Sequence, residues 1–381
     1  MMTILVAMDS FKGSLSSSEA NRAIREGIHL INPSEHVHTV TVADGGEGTI
    51  EALRHPFNLE LYEHTVLDAL GSPRTATYGF NPSTQIGVVE VAEACGLPEI
   101  PENRRNPVHA TTFGVGELIL AAVEKGAKHL FVGLGGSATT DGGFGMLRAL
   151  GIEFFDEDEE RIDGTGLLHR IHRIDDTKKR TSLEGCSFTI VCDVENPFFG
   201  KEGAAHVYGP QKGASIEEIR LLDDGLHRMA TVILKERRID LQRIPGSGAA
   251  GGLGGAFAAF LDGTFASGAG LVLDANGVRK KEASFSLMFS GEGKIDSQTL
   301  KGKLPMAIAS TGSAQDVPVI LIGGGVDIPA VELMSKGNIS AHSIATGPMN
   351  LDEMMEPDIA FHALKEKAAH CYMLWNSTRK G

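Results

Sequence analysis

The chain has 381 residues, 42% hydrophobic and 22% charged, a globular composition on a length that exceeds one ordinary core, so two domains are expected. Its 35 Lys+Arg against 49 Asp+Glu give a formal charge of −14, which argues against nucleic acid and anionic membrane surfaces as partners, since both demand a basic footprint. No apolar run reaches membrane-spanning length, Asp9 arrives too soon for a signal-peptide core, and four cysteines without a CxxC pair read as the reduced thiols of a cytoplasmic protein.

In chain order, residues 3–8 read as a buried first strand. Ser16-x-x-Glu19 forms a capping box, and Ala20, Ile24 and Ile28 repeat at helical spacing until Pro33. Residues 37–42 read as a second strand ending at Asp44, with His36 and His38 at an edge and without a catalytic part. Residues 85–91 read as a strand, 115–123 as a helix closed by Lys125-Gly126, and 129–134 as a strand. A glycine-rich loop and a short helix over 144–150 follow, then a strand over 187–191. Ser215-x-x-Glu218 opens a long helix whose buried stripe is Ile219, Leu222, Leu226, Met229 and Ile233. Residues 317–322 are a continuous apolar run suited to a parallel sheet covered on both faces, and 359–374 read as the last helix. Strands alternating with helices make this an α/β protein.

Ligands of open α/β sheets bind beyond the carboxyl ends of strands, so the polar, glycine-rich segments found there are the candidate site. Five stand out. Asp9-Ser10-Phe11-Lys12-Gly13-Ser14 offers an acid, hydroxyls and a cation at a strand–helix junction, with a capped turn and a solvated lysine as the plain alternative. Asp44-Gly45-Gly46-Glu47-Gly48 pairs two carboxylates around glycines and suits magnesium through water or a substrate hydroxyl; an acidic turn is the alternative. Gly133–Gly143, with Gly136, Ser137, Thr139, Thr140 and Asp141, is the strongest candidate for a phosphate cradle, although it lacks the lysine of a GxxxxGK[ST] loop. Asp193 sits at a strand end, as suits a general base, a metal ligand or a cap; Gln211 and Lys212 follow a Gly-Pro turn. Glu292, Lys294 and Asp296 alternate with glycine after the apolar stretch Phe285–Phe289. Arg104-Arg105 adds a cationic pair able to fork onto a carboxylate or phosphate. Gly246-Ser247-Gly248-Ala249-Ala250-Gly251 matches GxGxxG, but no strand precedes it, so it reads as the start of a tightly packed small-residue helix, 251–260.

Taken together and in this order, these segments resemble the signatures of the bacterial glycerate kinase family over nearly the whole chain. The residues that carry the resemblance are Asp9–Ser16, Ala43–Thr49, Arg105-Asn106-Pro107, Gly135–Gly143, Cys192–Pro197, Gly209–Ala214 and Gly291–Asp296. Thr140 stands where the family often has asparagine, Lys294 where arginine is common, and Met8 where proline is common; beyond about Lys336 the likeness is loose. The resemblance implies ATP-dependent phosphorylation of D-glycerate, with Mg²⁺ as the kinase's metal. It also implies two α/β domains with the cleft between them. One is flavodoxin-like (Rossmann-like) and discontinuous, over 1–85 plus 285–381; the other is an inserted restriction-enzyme-like domain over 86–284. The 2-hydroxyl is the expected acceptor, because bacterial members similar to this chain are commonly assigned as 2-kinases; the 3-hydroxyl is the alternative.

Residue type and position suggest the roles. Lys12, Arg105, Lys212 and Lys294 are the expected cations, and Ser137, Thr139 and Thr140 with their loop amides the cradle. Ser10, Gly136, Asp141, Gln211 and Glu292 complete the expected binding set. Asp193 is the first choice for general base and Asp44 the second; Asp296 or Glu292 serves magnesium. An NAD-dependent oxidoreductase resting on Gly246–Gly251, or a non-catalytic sugar-acid sensor, are the rivals, and a coupled ADP assay separates all three.

Overall fold

The computed structural model describes residues 3–43, 45–280, 284–301, 303–345, 347 and 349–378. The chain divides into two compact units, Met1–Ala43 with Ala269–Gly381, and Asp44–Gly268. The expected boundaries at 85/86 and 284/285 differ from this division for two reasons. Residues Glu60–Leu67 and Pro73–Asn81 pair with each other and then with the strand Ile86–Glu90, which joins them to the second unit's sheet. At the other end, Gln315 donates to the carbonyl of Val278, tying that segment to the first unit.

The first unit carries a five-stranded, wholly parallel sheet. From one edge it runs Val37–Thr39, Thr3–Met8, Phe285–Gly291, Val319–Gly323, Ile339–Ser343, so in this unit's own strand order it reads 2-1-3-4-5. Alternate residues of each strand serve opposite faces. Ile4, Val6, Met8, Leu287, Phe289 and Ile322 pack with Ile24 and Ile28 of the helix Ser17–Ile31 and Leu364 and Tyr372 of the helix Pro357–Thr378. Met288 and Val319 face the opposite way, against Gly312 of the helix Leu304–Gln315. The predicted capping box of Ser16 and Glu19 is present. Helices Ser17–Ile31 and Pro357–Thr378 lie side by side, joined by a 3.0 Å ion pair between Lys365 and Glu26 and by Arg22 over the Phe361 ring.

The second unit holds a six-stranded mixed sheet in the order Thr264–Ala266, Ser187–Val191, His129–Gly133, Ile86–Glu90, Pro73–Asn81, Glu60–Leu67. The first four strands are parallel, and the last two form an antiparallel hairpin at one edge. The alternation pattern does not announce that hairpin, because only Val66 of Glu60–Leu67 is fully buried. The helix Ile216–Arg237 has its capping box at Ser215 and Glu218, and it buries the five predicted stripe residues. The predicted helix at 251–260 is Ala249–Phe260, with Ala250, Gly251 and Gly252 in left-handed conformation before the regular turns begin. Among the described residues no helix is long and apolar enough to cross a membrane. Cys95, Cys186 and Cys371 are free thiols.

Candidate active site

In the second unit the candidate site grows from the carboxyl ends of three adjacent parallel strands, Ile86–Glu90, His129–Gly133 and Ser187–Val191. Two glycine segments meet there, backbone on backbone. Gly135 donates its N–H to the carbonyl of Gly45 at 2.8 Å, and a Cβ on Gly135 would stand 2.4 Å from Gly46 Cα. No other residue fits so close an approach.

Beyond this contact the loop turns inward. Asp141 is fully buried and accepts four hydrogen bonds: Thr112 N at 2.9 Å, Thr112 Oγ1 at 2.8 Å, Gly143 N at 3.0 Å and Gly145 N at 3.0 Å. Burial pushes its carboxyl up, against the pull of these donors. Lys212, from the turn Pro210–Lys212, is only 3% exposed. Its Nζ donates to Ser137 Oγ at 3.2 Å and to the carbonyl of Thr139 at 2.6 Å, and burial lowers its pKa to about 8. Neither charge reaches solvent, so both brace the loop from within. Thr139 Oγ1 and Thr140 Oγ1 are buried without a hydrogen-bond partner among the described residues. Thr139 lies beside the Cys95 thiol, which burial pushes up to about 12. Both threonines are fully buried, so their hydroxyls face the interior of the loop, and its backbone amides are the donors a cradle for anionic oxygen requires.

The remaining predicted residues of this unit are more exposed. Asp193 lies two residues past its strand, and its Oδ1 accepts from Gly268 N at 3.0 Å, at the start of the helix Gly268–Ala275. Arg105 is half-buried; its Nε donates to the carbonyl of Ile100, and Glu102 stands 3.8 Å from its guanidinium. Gln211 is exposed on the turn that buries Lys212. Asp44 lies outside the described residues.

The GxGxxG segment is packing. Gly251, at φ +70, lies so near Thr139 that a Cβ would stand 2.1 Å from its carbonyl oxygen, and Gly248 N donates to the carbonyl of Asn196. Its glycines let residues 246–252 seat against the glycine-rich loop, as the reading without a nucleotide-binding strand anticipates.

In the first unit the loops gather where the strand order reverses. From Thr3–Met8 the chain proceeds to one side of the sheet and from Phe285–Gly291 to the other, which opens a crevice between their carboxyl ends. Asp9 N donates to the carbonyl of Gly291 at 2.8 Å and ties the two loops together. Ser10 N donates to Asp9 Oδ1, Lys12 is exposed, and Phe11 and Leu15 bridge across the turn between them. Glu292 is buried with both oxygens occupied, one by Thr299 Oγ1 at 2.7 Å and one by Lys303 Nζ at 2.8 Å. Lys294 is largely exposed, 3.7 Å from Asp296 Oδ2. A backbone hydrogen bond from Gln298 is the main force lowering the Asp296 pKa, with Lys294 assisting. Magnesium asks for one or two carboxylates beside substrate phosphates, and the ionised Asp296 fits that demand where the fully engaged Glu292 does not. Among the described residues no three His, Cys, Asp or Glu converge as a metal cage.

Two groups escaped the sequence reading. Lys303, eleven residues from Glu292, belongs to no recognisable motif. Glu90 ends the strand Ile86–Glu90 and is 5% exposed. Its only signal is a lone carboxylate in the apolar run Val88–Val91.

Comparison with known proteins bears on this arrangement. The model of the glycerate kinase family matches residues 4–376. The chain belongs to the glycerate kinase family. That family is one of phosphotransferases. The chain is 38% identical to a glycerate kinase of Halalkalibacterium halodurans over all of both chains. It is 39% identical to the glycerate 2-kinase of Escherichia coli over 92% of this chain and 93% of that one. A crystal structure from Salmonella typhimurium LT2, carrying the provisional description glycerate kinase 2, superposes with a TM-score of 0.85 at 35% identity, covering both chains fully.

Proposed function

We propose that this chain transfers the γ-phosphoryl group of ATP to the 2-hydroxyl of D-glycerate, giving 2-phosphoglycerate and ADP. The observation that carries the reading is the near full-length similarity to the Escherichia coli glycerate 2-kinase. The substrate hydroxyl is the nucleophile: its oxygen bonds to the γ-phosphorus, the bond to the β,γ-bridging oxygen breaks, and the hydroxyl proton passes to a carboxylate. Asp193 is that carboxylate in this proposal, with Asp44 second. Gly268 N already orients Asp193 through one oxygen. Lys12, Lys294 and Arg105 offset phosphate and carboxylate charge, with Ser10, Gln211 and the amide of Gly136 as polar contacts. Thr139 and Thr140, fully buried, serve the cradle through the loop they pack. Lys212, Ser137 and Asp141 hold the loop in shape, a positioning part in place of the direct contact their residue types suggest. Asp296 would hold magnesium, which would supply positive charge against the phosphates when bound. Glu292 would orient the segment carrying it, through Thr299 and Lys303.

The 2-1-3-4-5 parallel order supports a flavodoxin-like type for the first unit. A restriction-enzyme-like type for the second, and a cytoplasmic location, complete the reading. ADP release on adding D-glycerate and ATP, followed by phosphorus NMR of the product, tests it. A 3-phosphoglycerate signal moves the acceptor to the other hydroxyl, and no ADP release with bound glycerate leaves a sensor. For the base, Asp193→Asn is expected to lower kcat by roughly 100-fold or more. Near-normal turnover of a folded variant removes Asp193 from that part.

A further inference from the structure

Glu90 has no part in the scheme above, yet its carboxylate is joined to the loops that carry it. It ends its strand directly opposite Gly133, where the glycine-rich loop departs. Its Oε1 accepts from Ile50 N at 2.6 Å and its Oε2 from Gly48 N at 3.3 Å. These amides open the short helix Thr49–Arg54, whose N-cap is Gly48, a residue with no side chain to accept them. A helix start normally finds its acceptor in the capping residue itself. Here it comes from a neighbouring strand. The segment so held is tied onward: Thr49 Oγ1 donates to the carbonyl of Gly46 at 2.7 Å, and the carbonyl of Gly45 accepts from Gly135 N at 2.8 Å. Hydrogen bonds at both ends of the backbone segment 45–50 therefore link Glu90 to Gly133–Gly143.

We propose that Glu90 is a positioning residue for phosphoryl transfer, its carboxylate fixing the acidic glycine segment 45–50 against the phosphate cradle. The proposal rests on the kinase reading above. Among the described residues no cation forms an ion pair with Glu90. Among the described residues the main charged groups acting on it are Glu93 of the helix Val91–Cys95 and Glu47 of the anchored segment, both acids. Glu93 itself accepts from Thr77 N. Burial, with these like charges, pushes Glu90 up to about 7. The ionised form accepts both amides. Protonation turns one oxygen into a donor facing an N–H and breaks one anchor. The anchor therefore holds above neutrality and loosens as pH falls.

Wild type, Glu90→Gln and Glu90→Asp, each first shown to be folded by circular dichroism, are compared with Mg-ATP and D-glycerate from pH 5.5 to 8.5. Exchange of the amides in residues 45–50 is followed by mass spectrometry in the same samples. In wild type, kcat is expected to fall on an acid limb centred near 7. In Glu90→Gln, kcat is expected to be lower by roughly 30-fold at pH 8. That variant is also expected to lose the limb, with KM for ATP changed less than about threefold. Exchange at 45–50 should quicken about tenfold or more in the glutamine variant. The aspartate variant should restore part of the rate and keep a limb. A glutamine variant with kcat within about twofold of wild type, a limb that persists in it, or unchanged exchange overturns the proposal. If wild type releases no ADP with D-glycerate, the kinase reading has failed, and the exchange comparison still decides whether Glu90 anchors the segment.

Discussion

The loop Gly133–Gly143 of one unit, with Lys212 packed against it, and the loops Asp9–Ser16 and Gly291–Asp296 of the other use the same vocabulary of glycine, hydroxyl, acid and lysine, with opposite results. In the first, the charges are internal: Asp141 and Lys212 are buried and bonded to the loop backbone, and Thr139 and Thr140 are buried with them. In the second, Lys12 and Lys294 stand exposed, and only Glu292 is drawn inward, onto Thr299 and Lys303. The difference teaches that residue type at a strand end does not determine function; burial does. A buried charge shapes the loop, whereas an exposed one is available to a ligand.

Substitutions can break or sharpen that contrast. The largest effect is expected from Asp141→Asn, whose amide would face N–H donors in a sealed site. Stability should fall by about 3 kcal/mol in urea unfolding, and an unchanged midpoint would deny Asp141 its structural part. Lys212→Met should lower kcat by roughly 100-fold by releasing Ser137 and Thr139. It also carries a sign on stability. Burial holds the folded lysine near 8 while the unfolded one stays at 10.5, so the unfolded chain binds more protons between these values and wild-type stability rises with pH across that window. The methionine variant should lack this rise in thermal melts run at pH 8 and pH 10.

Effects in the exposed loops should be smaller and confined to binding. Lys294→Ala is expected to raise a substrate KM about tenfold with Tm unchanged, and a large loss of Tm would mean that Lys294 too is structural. Smallest is Lys294→Arg, which restores the residue common in the family; its forked guanidinium should change KM by less than about threefold, measured against both substrates.

Local signals were legible and distant partners were not. Both capping boxes, at Ser16 and Ser215, stand where their Glu at the third position predicts, because each is decided within four residues. The glycine-rich loop was found from its place after His129–Gly133. What its residues do depends on Thr112 and Lys212, tens of residues away, and no spacing rule reaches that far. The same limit hid Glu90, whose partners Gly48 and Ile50 precede it by about forty positions. Apolar alternation carries the second strand to residue 42, whereas the strand is only Val37–Thr39, since the alternation continues past the point where pairing with Thr3–Met8 ends. The edge hairpin leaves no pattern in the sequence because solvent-facing strands carry little hydrophobic contrast.

The first unit's sheet joins opposite ends of the chain: Thr3–Met8 pairs with Phe285–Gly291, and Ser17–Ile31 lies beside Pro357–Thr378. During synthesis, the strand Thr3–Met8 leaves the ribosome long before its partner exists. The two are separated by about 280 residues, a wait of roughly 15–55 s at ordinary elongation rates. The continuous stretch Asp44–Gly268 is complete before Phe285–Gly291 is made, near the end of that interval. Translation order thus favours early folding of the second unit while the apolar amino-terminal segment waits unpaired. That segment, rather than any of the glycine-rich loops, is where a nascent-chain chaperone has most to protect.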